Sequence, residues 1–167
     1  SPADHIQHNC FNVLVTNCYM VLEKLLIKNI RHTGIVVDDL DASLQFYCDK
    51  LGFVVAKQMD ESGSFINAIL GIDGITVATV KMSLNDGSMI ELLDFKSHKQ
   101  ERVTRAINDI GPTHIAFTVD NLDQIYRDFS QDGIPFMSSP EISPDGYAKV
   151  AFCTAPEGTY IELVELL

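Results

Sequence analysis

Two histidines and two glutamates occupy matching places in two copies of one pattern. His32 stands in RHTGIVVDDLD and His114 in THIAFTVDNLD, while Glu91 stands in GSMIELLDF and Glu162 in GTYIELVEL. His32, Val37, Asp38, Leu40 and Asp41 map onto His114, Val119, Asp120, Leu122 and Asp123 at one offset of 82 (114 − 32). Gly87, Ile90, Glu91 and Leu92 map onto Gly158, Ile161, Glu162 and Leu163 at an offset of 71 (162 − 91). A period this long marks a duplicated domain half, each half one supersecondary unit. A lone strand histidine is more often a hydrogen-bonded core or surface residue than a ligand, and a lone strand glutamate usually reaches solvent or an arginine. The set of four reads differently. Two carboxylates in one cleft repel, and desolvating each is costly unless something positive compensates. A divalent cation supplies that charge, and His with Glu suits borderline to hard first-row ions: zinc, nickel, cobalt or manganese.

The elements that position these residues repeat as well. Residues 30–37 are β-branched and apolar, and 40–51 set Leu40, Leu44, Tyr47 and Leu51 on one helical stripe closed by Gly52, so a strand followed by an amphipathic helix is predicted. Asp38 or Asp41 is placed to cap that helix. Residues 53–57, 75–83 and 89–95 read as strands, with Asn85-Asp86-Gly87 as a hairpin turn. The second half repeats the plan: strand 113–119, helix 122–131, strands 147–154 and 160–166, with a turn at Ala155-Pro156-Glu157-Gly158. Residues 96–110 are expected to form a connecting helix. Alternation along the strands sets His114 opposite Ile115 and Phe117, groups His32 with Gly34, and turns Glu91 and Glu162 away from their isoleucine and leucine neighbours. If the apolar faces pack under the helices, all four polar groups line the concave side of a curved sheet.

The rest of the chain bounds the function classes. A length of 167 residues fits one domain, with 46% apolar and 21% charged residues, near globular averages. The net charge of −11 argues against nucleic acid as partner, since phosphate binders carry a basic footprint. No apolar run approaches the roughly 18 residues of a membrane span, and nothing resembles a basic-then-apolar secretion signal, so a soluble cytoplasmic protein is expected. Cys10, Cys18, Cys48 and Cys153 include no CxxC pair and read as reduced thiols. Cys153 is a candidate to face the cleft, without the spacing of a catalytic thiol.

The string HTGIVVDDLDASLQFYCDKLGF resembles the opening βα signature of the vicinal oxygen chelate superfamily, which includes glyoxalase I, methylmalonyl-CoA epimerase, extradiol dioxygenases and bleomycin-resistance proteins. The resemblance runs from about residue 30 to 167. It implies an α+β fold of two tandem βαβββ modules, 30–95 and 112–167, forming curved mixed sheets around a cleft, joined by the helical connector and preceded by an extension, 1–29. Within that extension His5, His8 and Cys10 are a weaker metal-binding possibility, and a stray N-terminal arm is the simpler reading. In the superfamily each module supplies ligands from its first and last strands. His32, Glu91, His114 and Glu162 fall at those positions and imply one divalent metal ion.

Four protein ligands leave about two positions of an octahedral ion, suited to two vicinal oxygens of a substrate rather than to substrate plus dioxygen. The resemblance therefore implies a lyase or isomerase of the glyoxalase I (lactoylglutathione lyase-like) type, moving a proton next to a carbonyl through a metal-bound enediolate. Glu162 is expected as the base, with Glu91 as the alternative. IELLDF resembles the ELLEP-like stretch of CoA epimerases and departs from the glutathione-binding pattern, so the alternative is a methylmalonyl-CoA epimerase-like enzyme. A metal-free drug-binding protein of the same fold is the reading from another class. The substrate is expected to be a thiol conjugate or an acyl-CoA. Tyr147 and Lys149, in or beside the possible lid 138–147, and Arg102, in a basic run with Lys96, His98, Lys99 and Arg105, are candidate substrate contacts. A homodimer is expected, because open sheet edges need covering.

Overall fold

Alternating apolar residues make the strands, and the duplicated pattern makes the same sheet twice. The computed structural model describes residues 26–167; the expectations for His5, His8, Cys10 and Cys18 lie outside them. The first sheet has the order β1-β4-β3-β2, from β1 (Thr33–Val36), β2 (Val54–Ser62), β3 (Thr76–Ser83) and β4 (Met89–Phe95). The second has the order β5-β8-β7-β6, from β5 (His114–Thr118), β6 (Glu141–Ile142), β7 (Ala148–Thr154) and β8 (Tyr160–Leu166). In each, the first strand runs parallel to the last, β1 to β4 and β5 to β8, and the other pairings are antiparallel. The architecture is the expected α+β pair of βαβββ units.

Helix α1 (Leu40–Leu44) follows β1 and continues as a π-helical stretch, Gln45–Lys50. Its cap is Asp39, whose carboxylate accepts from the Ala42 amide at 3.0 Å, so the expectation of Asp38 or Asp41 is corrected. Asp38 lies one residue too early and is paired with Arg102, and Asp41 sits inside the first turn. The wider turn carries the neighbours Phe46 and Tyr47 into the core together. Gly52, at φ +80, lets the chain reverse into β2 without the strain that a side chain would meet there. In the second unit Asn121 adopts a left-handed conformation, caps α3 (Leu122–Gln131) and accepts from Gln124 at 3.1 Å.

The first unit also contains α2 (Ser64–Leu70), which the sequence reading left unassigned, and β2 runs to Ser62 rather than to 57. The Ser64–Leu70 helix packs Ile66 against Ile75 and Val77, with Leu93 and Phe95 alongside. The expected connecting helix is absent: residues 96–110 are bends, turns and irregular chain. Their apolar side chains Val103 and Ile110 stay exposed, so no buried stripe supports a helix. Arg105 instead donates to the Ile110 and Pro112 carbonyls at 2.9 and 3.1 Å, backbone acceptors presented by an irregular chain.

One hydrophobic core joins the two units. Ile35, Val80, Met82, Ile90 and Leu92 of the first sheet meet Ala151, Cys153, Ile161 and Leu163 of the second, with Phe46, Tyr47, Leu122 and Phe129 from the helices. Phe53 and Phe117 cross between units edge to face at 5.9 Å. Each large side chain buried here contributes roughly 1.5–3 kcal/mol. Polar ties reinforce the join: Tyr47 donates to Glu157 at 2.7 Å, Lys50 to Asp132 at 2.6 Å, and Arg102 bridges Asp38 and the Pro156 carbonyl. The apolar faces of both sheets are thus spent on one core that they share with the helices.

Candidate functional site

The faces turned away from the shared core carry the candidate ligands. In the first sheet Gly34 and Glu91 are register partners, and His32 lies two residues before Gly34 on the same side. His32 Nε2 stands 3.0 Å from Glu91 Oε2, with the carboxylate only 13% exposed. In the second sheet His114 opens β5, and its Nε2 stands 3.4 Å from Glu162 Oε2. Nδ1 of His114 lies 3.0 Å from Thr113 Oγ1, which orients the ring toward the glutamate. The ring also meets Phe152 edge-on at 5.4 Å.

Two ligands about 2.1 Å from one ion lie about 3.0 Å apart on an octahedral edge and about 3.4 Å apart on a tetrahedral one. Both His–Glu spacings therefore fit adjacent ligands of a shared cation. His32 Nδ1 is buried without a hydrogen-bond partner, leaving Nε2 as the nitrogen that Glu91 shares. The expectation that all four side chains meet at one point is not met within a single chain. Among the described residues no three His, Cys, Asp or Glu side chains converge into a group able to hold a metal. The physical reason is the core: burying the apolar face of each sheet together with the helices leaves each His–Glu pair on the opposite face of its own sheet.

The other candidates are placed differently. Lys149 lies on the helix side of β7, where it pairs with Asp123 at 2.7 Å and Glu165 at 3.7 Å. Arg102 is held by Asp38, whose carboxyl it keeps below the usual carboxylate range by hydrogen bonding. Tyr147 is 73% exposed beyond the end of β7. The basic run 96–105 meets internal partners, Lys96 and Lys99 closing on the buried Asp94. Part of the supposed lid is strand β6, paired with β7. Cys153 faces the core, not the cleft, and burial pushes its thiol up to about 12.

A cleft of about 820 Å³ runs between the edges of β1 and β5, lined by Thr33, Arg102, Thr113, His114, Glu157 and Tyr160 among others. It reaches His114 but not Glu91 or Glu162, so the candidate chemistry is better located by the His–Glu pairs than by this cleft. Sequence reading missed Lys81, whose ammonium lies 3.5 Å from Glu91 Oε1. Its signal was present: it is the single charge inside the apolar strand TVATVKMS.

Comparison with known proteins agrees with the fold. An uncharacterized protein of Bacillus subtilis, YwkD, is 34% identical over 112 residues, 66% of this chain and 76% of its own. A lactoylglutathione lyase of Schizosaccharomyces pombe is 30% identical over 81% of this chain, which spans 46% of that longer protein. A probable lactoylglutathione lyase of Synechocystis is 30% identical over 80% of this chain and 92% of its own. The crystal structure of a glyoxalase family protein from Bacillus cereus superposes with a TM-score of 0.78 at 23% identity, covering 86% of this chain and 97% of that one. The Glyoxalase/Bleomycin resistance protein/Dioxygenase superfamily matches residues 29–163, and the chain belongs to that superfamily.

Proposed function

We propose that the chain is a metal-dependent lyase or isomerase of the glyoxalase I type, with a thiol conjugate or acyl-CoA as substrate and His32, Glu91, His114 and Glu162 as the ligands of one divalent ion. The observation that carries this reading is the pair of matched His–Glu spacings, 3.0 and 3.4 Å, at equivalent places in two copies of one unit. Because each chain presents the pairs on faces turned from its core, a second copy completes the site by setting its His114/Glu162 face against the His32/Glu91 face of the first.

The divalent ion supplies Lewis-acid stabilisation of charge on the substrate carbonyl oxygen. Glu162 takes the proton from the adjacent carbon and returns it, since its carboxylate sits beside a histidine and the apolar Phe152 on a partly open face. Glu91, held between His32 and Lys81, serves as the fixed ligand. An epimerase reading has support of its own: a 2-epi-5-epi-valiolone epimerase of Actinomyces is 25% identical over 82% of this chain, and epimerisation uses the same proton movement.

The test is metal analysis of protein purified without a chelating tag, with turnover measured on hemithioacetal and acyl-CoA substrates. Glu162→Gln should keep much of the metal while losing about 10²- to 10⁴-fold in turnover, because an amide cannot accept and return the proton. Near-normal turnover in Glu162→Gln with loss in Glu91→Gln would reverse the roles. Loss in neither would refute the enzyme reading.

A further inference from the structure

The two sheets carry matching His–Glu pairs but unlike neighbours. In the first, one row crosses all four strands as Gly34, Glu91, Lys81 and Lys57, each the register partner of the next. In the second, the corresponding row is Ala116, Glu162 and Phe152, with Val150 and Val164 half-buried on the same face. One wall of the duplicated site is cationic and the other apolar.

The cationic wall is specifically built. Like charges directly opposite each other on neighbouring strands destabilise a sheet, yet Lys81 and Lys57 are such a pair. Their alignment comes from a break in the ladder: Val55 pairs with Met82 and Lys57 with Lys81, so Ala56 is skipped. Unbroken alternation would have put Lys57 on the face of Val55. The irregularity re-aims it beside Lys81, the use to which bulges near sites are put. Lys81 is 29% exposed and shares Glu91 with His32. Among the described residues no carboxylate lies within 4.0 Å of the Lys57 ammonium. In formal charge, Glu91 and Glu162 offset a divalent ion, and the two lysines leave the site net positive.

We propose that Lys81 and Lys57 are specificity residues forming an anion subsite, and that the ligand is a small carboxylate-bearing molecule whose apolar substituent rests on Phe152. This rests on the reading that the two His–Glu faces close on one ligand. The carboxylate takes the place between Lys57, which has no carboxylate partner among the described residues, and Lys81, whose ammonium shares Glu91 with His32. The hydrocarbon takes the wall of Phe152, Val150 and Val164, where a charge would go unpaired.

The test uses metal-free protein and two probes that differ in charge and by one methyl group, mandelate and its neutral methyl ester, titrated by calorimetry. Wild-type protein should prefer mandelate. Lys81→Met and Lys57→Met should each weaken mandelate about tenfold and leave the ester unchanged, as expected for loss of one charge-assisted contact. Phe152→Ala should weaken both probes, and circular dichroism checks that each variant is folded. Equal affinity for acid and ester, no mandelate binding at millimolar concentration, or unchanged mandelate affinity in both lysine variants overturns the proposal. Bound metal and turnover, measured separately on wild-type protein, keep the two readings apart. Their absence sinks the metal enzyme while charge selectivity still stands, and their presence without selectivity sinks the anion subsite alone.

Discussion

Mixing two variants that are each inactive separates a site built within one chain from a site shared by two. His32→Ala removes one proposed ligand from the face it shares with Glu91, and His114→Ala removes one from the face it shares with Glu162. If each site joins one such face from each copy, a mixed dimer contains one site lacking both histidines and one retaining all four ligands. Random pairing makes half of all dimers mixed, so roughly a quarter of wild-type metal content and turnover should return in the mixture, and roughly half in mixed dimers isolated through two different non-chelating tags. The assay is coexpression of the two variants, followed by bound-metal analysis and turnover against each parent alone. Recovery no greater than the parents would refute the shared site, and with it the argument that the common core holds the two faces apart within a chain. A monomeric mass at micromolar concentration with full activity would refute it independently.

Two further outcomes follow from the core. With its thiol pushed to about 12 by burial, Cys153 carries roughly one part in 10⁴ as thiolate at pH 8, so alkylation mapped by mass spectrometry should reach it only as urea unfolds the chain. Labelling of Cys153 in native protein at the rate of a free thiol would contradict its place against Ile161 and Leu163. Tyr47 should give an alkaline dependence of stability: burial first, then the nearby Glu157 carboxylate, raises its phenol well above the ordinary value of 10.0. The folded form therefore holds the proton, so the contribution is complete below about pH 10 and falls by about 1.4 kcal/mol per pH unit above it, as the unfolded phenol ionises first. Urea midpoints from pH 8 upward test this, and Tyr47→Phe, which leaves Glu157 only the Ser43 hydroxyl of its two side-chain donors, should flatten the slope; an equal slope in both proteins would refute it.

The duplicated unit was legible because it is written in local signals. HxxxxVDxLD carries the strand, the acidic cap region and the first turn of helix α1 together, and IEL carries the final strand with its glutamate turned away from the isoleucine and leucine. Period-two alternation placed His32, Glu91, His114 and Glu162 on faces opposite the apolar stripe, and the structure keeps them there. What alternation cannot give is which way a whole sheet faces. The choice between one cleft per chain and two outward faces is made by long-range packing, Phe53 on Phe117 and Tyr47 on Glu157, between residues far apart in sequence.

The connector shows the complementary failure. Residues 96–110 contain charges at near-helical spacing, but charge spacing without an apolar stripe has nothing to bury, and the arginines are worth more as donors to carbonyls and to Asp38 than as a solvated face. The same distinction explains the site. Lys149 and Arg102 looked available because they are cations near a cleft, yet each has carboxylate partners elsewhere in the fold. Lys81 looked like part of a strand, and its meaning appears only in register, where it stands across from Glu91 while Phe152 stands across from Glu162. Duplication gave the two halves the same His–Glu pair; what separates the two is the residue on the next strand.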